Sequence, residues 1–101
     1  MDEFPEKLAG STGFDRDEGK VDKNWERHEV SAAASEQIFF QRPILVAPDR
    51  EHSQDEKRYA ALGKTAADRQ LTIVFTIRST LIRVISARDM SRRERRVYER
   101  A

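Results

Sequence analysis

Residues 70–88 read QLTIVFTIRSTLIRVISAR, and the alternation inside this stretch decides the fold. Leu71, Ile73, Phe75 and Ile77 alternate with Thr72, Val74, Thr76 and Arg78. That period of two belongs to a strand with one wholly apolar face against a core. A second apolar run resumes just after Ser79, so strands over 70–78 and 80–88 are predicted to pair as an antiparallel hairpin. Parallel neighbours need a crossover of roughly a dozen residues or more, and there is no room for one. A strand over 57–65, linked through Ala66, Ala67, Asp68 and Arg69, joins the first in the same way. The short run Ile44, Leu45, Val46 and Ala47, ended by Pro48, supplies a fourth strand by its length and β-branching. The four are predicted to form an antiparallel meander.

Upstream of the sheet, the spacing predicts two helices. Val21, Trp25 and His28 fall on one face of a helix over about 17–28, with Asp15 or Asp17 placed to complement its N-terminal dipole. Ser31 is a good N-cap for a second helix running to about Gln41, stopped by Pro43, with Ala34, Ile38 and Phe39 as its buried stripe. Both helices are expected on the apolar face of the sheet. Residues 1–13 carry Pro5 and the breaker cluster Gly10, Ser11, Thr12 and Gly13, and are expected to be a loosely held leader. The fold class is α+β, one domain over 14–101: two N-terminal helices, a four-stranded antiparallel meander and a C-terminal basic helix.

Downstream, charge is concentrated. From Arg78 onward the chain holds Arg83, Arg88, Arg92, Arg93, Arg95, Arg96 and Arg100 against Asp89, Glu94 and Glu99, whereas the first residues are rich in acids. Ser91 followed by Glu94 is a capping box that fixes a helix start. Arg92 and Arg93 then lie in the first turn, where the macrodipole disfavours cations. Such a broken local rule marks functional surface, and cations beside free helix amides suggest an anion site, with phosphate the obvious occupant. The competing reading is a solvated basic helix that serves solubility alone.

Composition bounds the rest. A chain of 101 residues with 38% hydrophobic content supports one core, and 37% charged residues describe a solvated surface. Cysteine is absent, which excludes disulfides and thiol chemistry. No apolar run approaches the roughly 18 residues that span a bilayer, and Met1 to Gly10 is acidic where a signal peptide is basic, so no membrane role and a cytoplasmic address are expected. The net charge of +1 is itself uninformative about nucleic acid.

The order FDRDEGKVDKNWERHEVS (14–31), Phe39 and Phe40 with Pro43, EKRYAALGK (56–64) and LIRVISARDMSRRERRVYE (81–99) resembles the BrnT family of bacterial type II toxins. The resemblance runs from about Phe14 to Glu99, and its C-terminal part is the most specific. It implies a RelE-like α+β ribonuclease that inhibits translation by cleaving RNA. It also implies a BrnA-type antitoxin, a ribbon-helix-helix protein that neutralises the toxin and through which alone operator DNA is bound. One departure is visible: the residue after His28 is usually Gly in such sequences and is Glu29 here, at a position suited to a left-handed helix stop.

The residue types indicate how cleavage would proceed. Without Cys, with only His28 and His52, and with no clustered carboxylates facing a basic site, convincing zinc or magnesium ligands are lacking, so no metal and no cofactor are expected. A metal-independent route has the RNA 2′-hydroxyl attack its own phosphate, aided by a proton acceptor, a proton donor and cations. Arg58, Arg83, Arg88 and Arg92 or Arg93 are the candidates for phosphate binding and charge stabilisation, with Lys57 and His28 as further RNA contacts. Glu94, Tyr98, His28 and His52 are the candidate proton carriers. Each has a structural alternative: Glu94 in the cap, Tyr98 docking the helix, His28 packed beside Trp25, His52 a spectator in a polar loop, and Arg58 paired with an acid. Arg83 and Arg88 have opposite parity, so an unbroken strand would send them to opposite faces. A non-catalytic nucleic-acid- or partner-binding module using the same arginines is the alternative function.

Overall fold

The strand predicted over residues 70–78 forms as Gln70–Arg78 and lies at the centre of a five-stranded sheet. The computed structural model describes residues 11–15, 29–49 and 56–101, and the helix predicted over 17–28 lies outside them, as do residues 1–10 and His52. In chain order the elements are β1 (Gly13–Phe14), α1 (Ala32–Gln37), β2 (Leu45–Pro48), β3 (Arg58–Lys64), β4 (Gln70–Arg78), β5 (Leu81–Asp89) and α2 (Arg92–Glu99), with a 3₁₀ turn over Ile38–Phe40 after α1. The sheet order is β1-β5-β4-β3-β2.

Strands β2 to β5 pair antiparallel in sequence order. The predicted four-stranded antiparallel sheet nevertheless needs correction, because β1 adds a fifth strand parallel to β5, through Gly13 beside Leu81 and Phe14 beside Ile82. Its two residues sit at the end of a Gly and Ser cluster and offer no alternation to read. Backbone bonds from Thr12 N to Thr80 O and from Asp15 N to Ile82 O, each 2.8 Å, extend the pairing to either side. The two predicted N-terminal helices are likewise not matched in detail: the described residues hold α1 alone before the sheet. Ser31 caps it as expected, its hydroxyl accepting from Ala34 N at 3.1 Å. The helix is shorter than predicted and tightens into the 3₁₀ turn before the cis Arg42–Pro43 peptide.

The apolar face of β4 builds the main core. Leu71, Ile73 and Phe75 are fully buried and pack in one cluster with the buried Val30, Ile38, Val46, Ala61, Ile82 and Ala87. Phe39 meets Phe75 edge-on at 5.1 Å between ring centroids, Tyr59 stacks on Phe75 at 5.5 Å, and Phe14 adds to Phe39 at 5.7 Å. Packing here is close: a Cβ built on Gly63 would lie 2.8 Å from the Cβ of Ile38. A second cluster of Leu62, Met90 and Tyr98, with Leu45 against it, seats α2.

Leu62 and Leu45 are paired neighbours, and Leu62 pairs with Thr72, so this cluster belongs to the face opposite the main core. Among the described residues, α1 with its 3₁₀ turn packs on one sheet face, and α2 covers part of the other. No described helix is long and apolar enough to cross a membrane.

Candidate nucleic-acid interface

The sheet face on which α2 is seated carries the arginines. Along β4, Thr72, Val74, Thr76 and Arg78 point to this side by alternation. Arg58 of β3 pairs with Thr76, and Thr76 pairs on its other side with Arg83 of β5, so these residues form one row across three strands. Four positions back along β4, Thr72 pairs with Arg88. The parity conflict between Arg83 and Arg88 is removed by a bulge: Val74 pairs with Ser86 but Phe75 pairs with Val84, so Ile85 is an extra residue in β5. The bulge turns both arginines onto the face that also carries Arg58. Adjacent strands lie about 4.8 Å apart, which separates the Arg58 and Arg83 backbones by about 10 Å across the threonine between them.

Internal partners hold much of this surface. Arg83, whose side chain is 17% exposed, meets Asp15 at 3.5 Å, which ties β1 to the basic row. Arg78 forms a bidentate pair with Glu56, both contacts 3.1 Å, and the pairing lowers the Glu56 pKa. Thr76 is buried and donates to Lys57 O at 2.7 Å, fixing the entry to β3, where the Lys57 side chain is exposed. Asp15, Glu56, Thr72 and Thr76 are not among the site candidates read from the sequence, where Asp15 is placed to complement a helix dipole and Thr72 and Thr76 are only the polar side of the strand alternation. Their separation along the chain gives no signal until the sheet register brings them beside the arginines.

At the start of α2 the capping box forms: Ser91 N donates to Glu94 Oε1 at 2.8 Å and Glu94 N donates to Ser91 Oγ at 3.2 Å. The box engages the Ser91 and Glu94 amides, and Glu94 is itself an anion held at that helix end. Arg88 closes on the same carboxylate from below, Nη1 to Oε1 at 2.7 Å and Nη2 to Oε2 at 2.9 Å. Thr72 Oγ1 donates to Oε1 at 3.0 Å. The paired Arg88 guanidinium, with the Ser91 amide and the Thr72 hydroxyl, holds the Glu94 pKa down at about 2 against the opposing effect of burial. A carboxylate so stabilised is poorly suited to exchanging protons near neutrality.

Tyr98 is buried and donates to Pro43 O at 2.6 Å, joining α2 to the chain entering β2. Burial raises its pKa, with Asp68 adding to the effect. Arg92 and Arg93 are exposed in the first turn of α2, and their side chains have no hydrogen bond or ion pair among the described residues. The structure thus brings Arg58, Arg83, Arg88 and Glu94 to one face, with Arg92 and Arg93 at its helical border and Tyr98 beneath the helix. His28 and His52 lie outside the described residues. Among the described residues no group of three or more His, Cys, Asp or Glu gathers as a metal site would require.

A family model described as "Ribonuclease toxin, BrnT, of type II toxin-antitoxin system" matches residues 17–94. The chain belongs to the BrnT family. Membership gives this BrnT-family chain the class of a type II ribonuclease toxin with an antitoxin partner. The matched span covers the described strands β2 to β5 and ends on Glu94, the carboxylate that ties β5 to α2. No curated protein matches the sequence significantly.

Proposed function

We propose that this toxin is a metal-independent endoribonuclease that acts in the cytoplasm, cleaves RNA and thereby inhibits translation. RNA lies across the sheet face between β3 and β5, its phosphates held by Arg58, Arg83 and Arg88. Lys57 extends the contact on one side and Arg92 and Arg93 on the other, and His28 is proposed as a further RNA contact. The observation that carries the reading is the bulge at Ile85, which gathers on one face arginines that a regular strand would separate.

In this reading the substrate 2′-hydroxyl attacks the adjacent phosphorus, the P–O5′ bond breaks, and the products are a 2′,3′-cyclic phosphate and a 5′-hydroxyl. Guanidinium groups stabilise the charge that develops on the phosphoryl oxygens. Glu94 and Tyr98 contribute by fixing Arg88 and α2, since their polar atoms are already engaged. Proton transfer then falls to His28 or His52, histidine being the side chain that most often carries protons in such chemistry. A BrnA-type antitoxin silences the enzyme by covering the same arginines, and contact with operator DNA is made by the antitoxin alone.

Purified toxin incubated with RNA in EDTA, with product ends mapped, tests this proposal. Cyclic phosphate ends are expected. Cleavage that appears only with added metal would overturn the mechanism, and RNA left intact under all conditions would overturn the enzyme reading. The internal pairing of Arg88 with Glu94 favours a second reading, a binding module without chemistry, whose signature is salt-sensitive RNA binding without scission.

A further inference from the structure

The contacts of Arg88 leave one edge of its guanidinium open. Nη1 donates both to Glu94 Oε1 at 2.7 Å and to Asp89 O at 3.2 Å, and Nη2 donates one hydrogen to Glu94 Oε2 at 2.9 Å. Those bonds use the end of the group. Nε and the remaining Nη2 hydrogen lie along its side, parallel to one another, and have no partner among the described residues. Such an edge matches two oxygens of a phosphate. The Arg88 side chain is 44% exposed, while the Glu94 that grips it is only 25% exposed, so the gripped end faces inward and solvent reaches the group.

Glu94 in turn is not free to swing. Its Oε1 accepts from the Ser91 amide and from Thr72 Oγ1, and Thr72 is 4% exposed on the central strand β4. Thr72 is therefore the rigid end of a chain, strand to hydroxyl to carboxylate to guanidinium, and a guanidinium held by a fixed carboxylate keeps one orientation. We propose that Thr72 and Glu94 are positioning residues that aim the Nε and Nη2 edge of Arg88 at a phosphate of the RNA. This rests on the reading of the sheet face as the RNA surface. It gives Glu94 a role other than proton transfer and adds Thr72, which no pattern in the sequence distinguishes from the neighbouring strand threonine Thr76.

The test uses the full chain and two readouts. In the wild type, the Arg88 Nε–H resonance, identified by its loss in Arg88→Lys, should shift when a 2′-O-methyl RNA that cannot be cleaved is titrated in. Thr72→Val should weaken that shift and lower kcat/KM for RNA cleavage about tenfold, the usual scale for losing a hydrogen bond to a charged group. Thr72→Ser, which keeps the hydroxyl, should restore both to within about twofold, and it guards against a Thr72→Val chain that fails to fold.

An Arg88 Nε–H resonance unmoved by the RNA overturns the proposal, as does Thr72→Val acting like the wild type, or Thr72→Ser failing as Thr72→Val does. If the wild type cleaves no RNA yet its Arg88 resonance shifts and Thr72→Val weakens the shift, the positioning role stands and the ribonuclease reading falls. If RNA is cleaved while Arg88 stays silent, the reverse holds.

Discussion

Single residues here break local rules and are held in place by neighbours. Glu29 has φ 54, a left-handed conformation that glycine adopts freely and that costs an L-residue about 1 kcal/mol or more. The turn forms because Arg69, itself bidentate on Asp89, donates from Nη1 to Glu29 O at 2.8 Å. Glu29→Gly keeps that carbonyl and relieves the strain, so it should stabilise the protein by about 0.5–1 kcal/mol, seen as a higher urea midpoint with an unchanged slope. Glu94 sets an acid limit. Its folded pKa of about 2 lies below the ordinary 4.5, so the unfolded chain takes up protons first as pH falls. The stabilisation is fully present above about pH 5 and is lost progressively down to about pH 2, amounting to about 1–2 kcal/mol once solvent screening is allowed for. Glu94→Gln should flatten that limb of the stability profile in acid titrations followed by circular dichroism.

At the scale of elements, each helix is anchored by a contact that invites a test. The turn after α1 presses Ile38 onto Gly63, so Gly63→Ala must push the two apart and should cost about 1–3 kcal/mol in chemical denaturation. Helix α2 is brief and buries Tyr98 alone, so its docking depends on the second apolar cluster and on the Tyr98 bond to Pro43 O. Tyr98→Phe should cost about 1 kcal/mol of stability and leave RNA cleavage near the wild-type rate wherever the chain is folded. A large loss of rate with stability intact would instead assign Tyr98 to the chemistry.

For the whole molecule, the distribution of charge relative to the sheet is what matters. If phosphates bind across β3 to β5, Arg58→Ala and Arg83→Ala should each weaken RNA affinity and reduce the slope of log affinity against log salt by about 0.7, the increment expected for one phosphate on a single strand. Arg96→Ala, on the exposed side of α2, should change neither by a comparable amount. The meander, the Ser31 cap, the capping box at Ser91 and the apolar stripe of β4 were legible because each is a local pattern whose period or spacing has a single physical meaning. The resemblance of 81–99 to a toxin family was legible in the same way. Strand β1 was not, because two residues carry no period and their pairing depends on a partner far along the chain. Nor was the composition of the site. Sequence alone determined which residues are basic and which strand each occupies. Tertiary structure decided that Arg83 and Arg88 share a face, because a single inserted residue reverses strand parity, and that Glu94 is spent on Arg88 and Thr72, because only strand register brings those side chains within hydrogen-bonding distance.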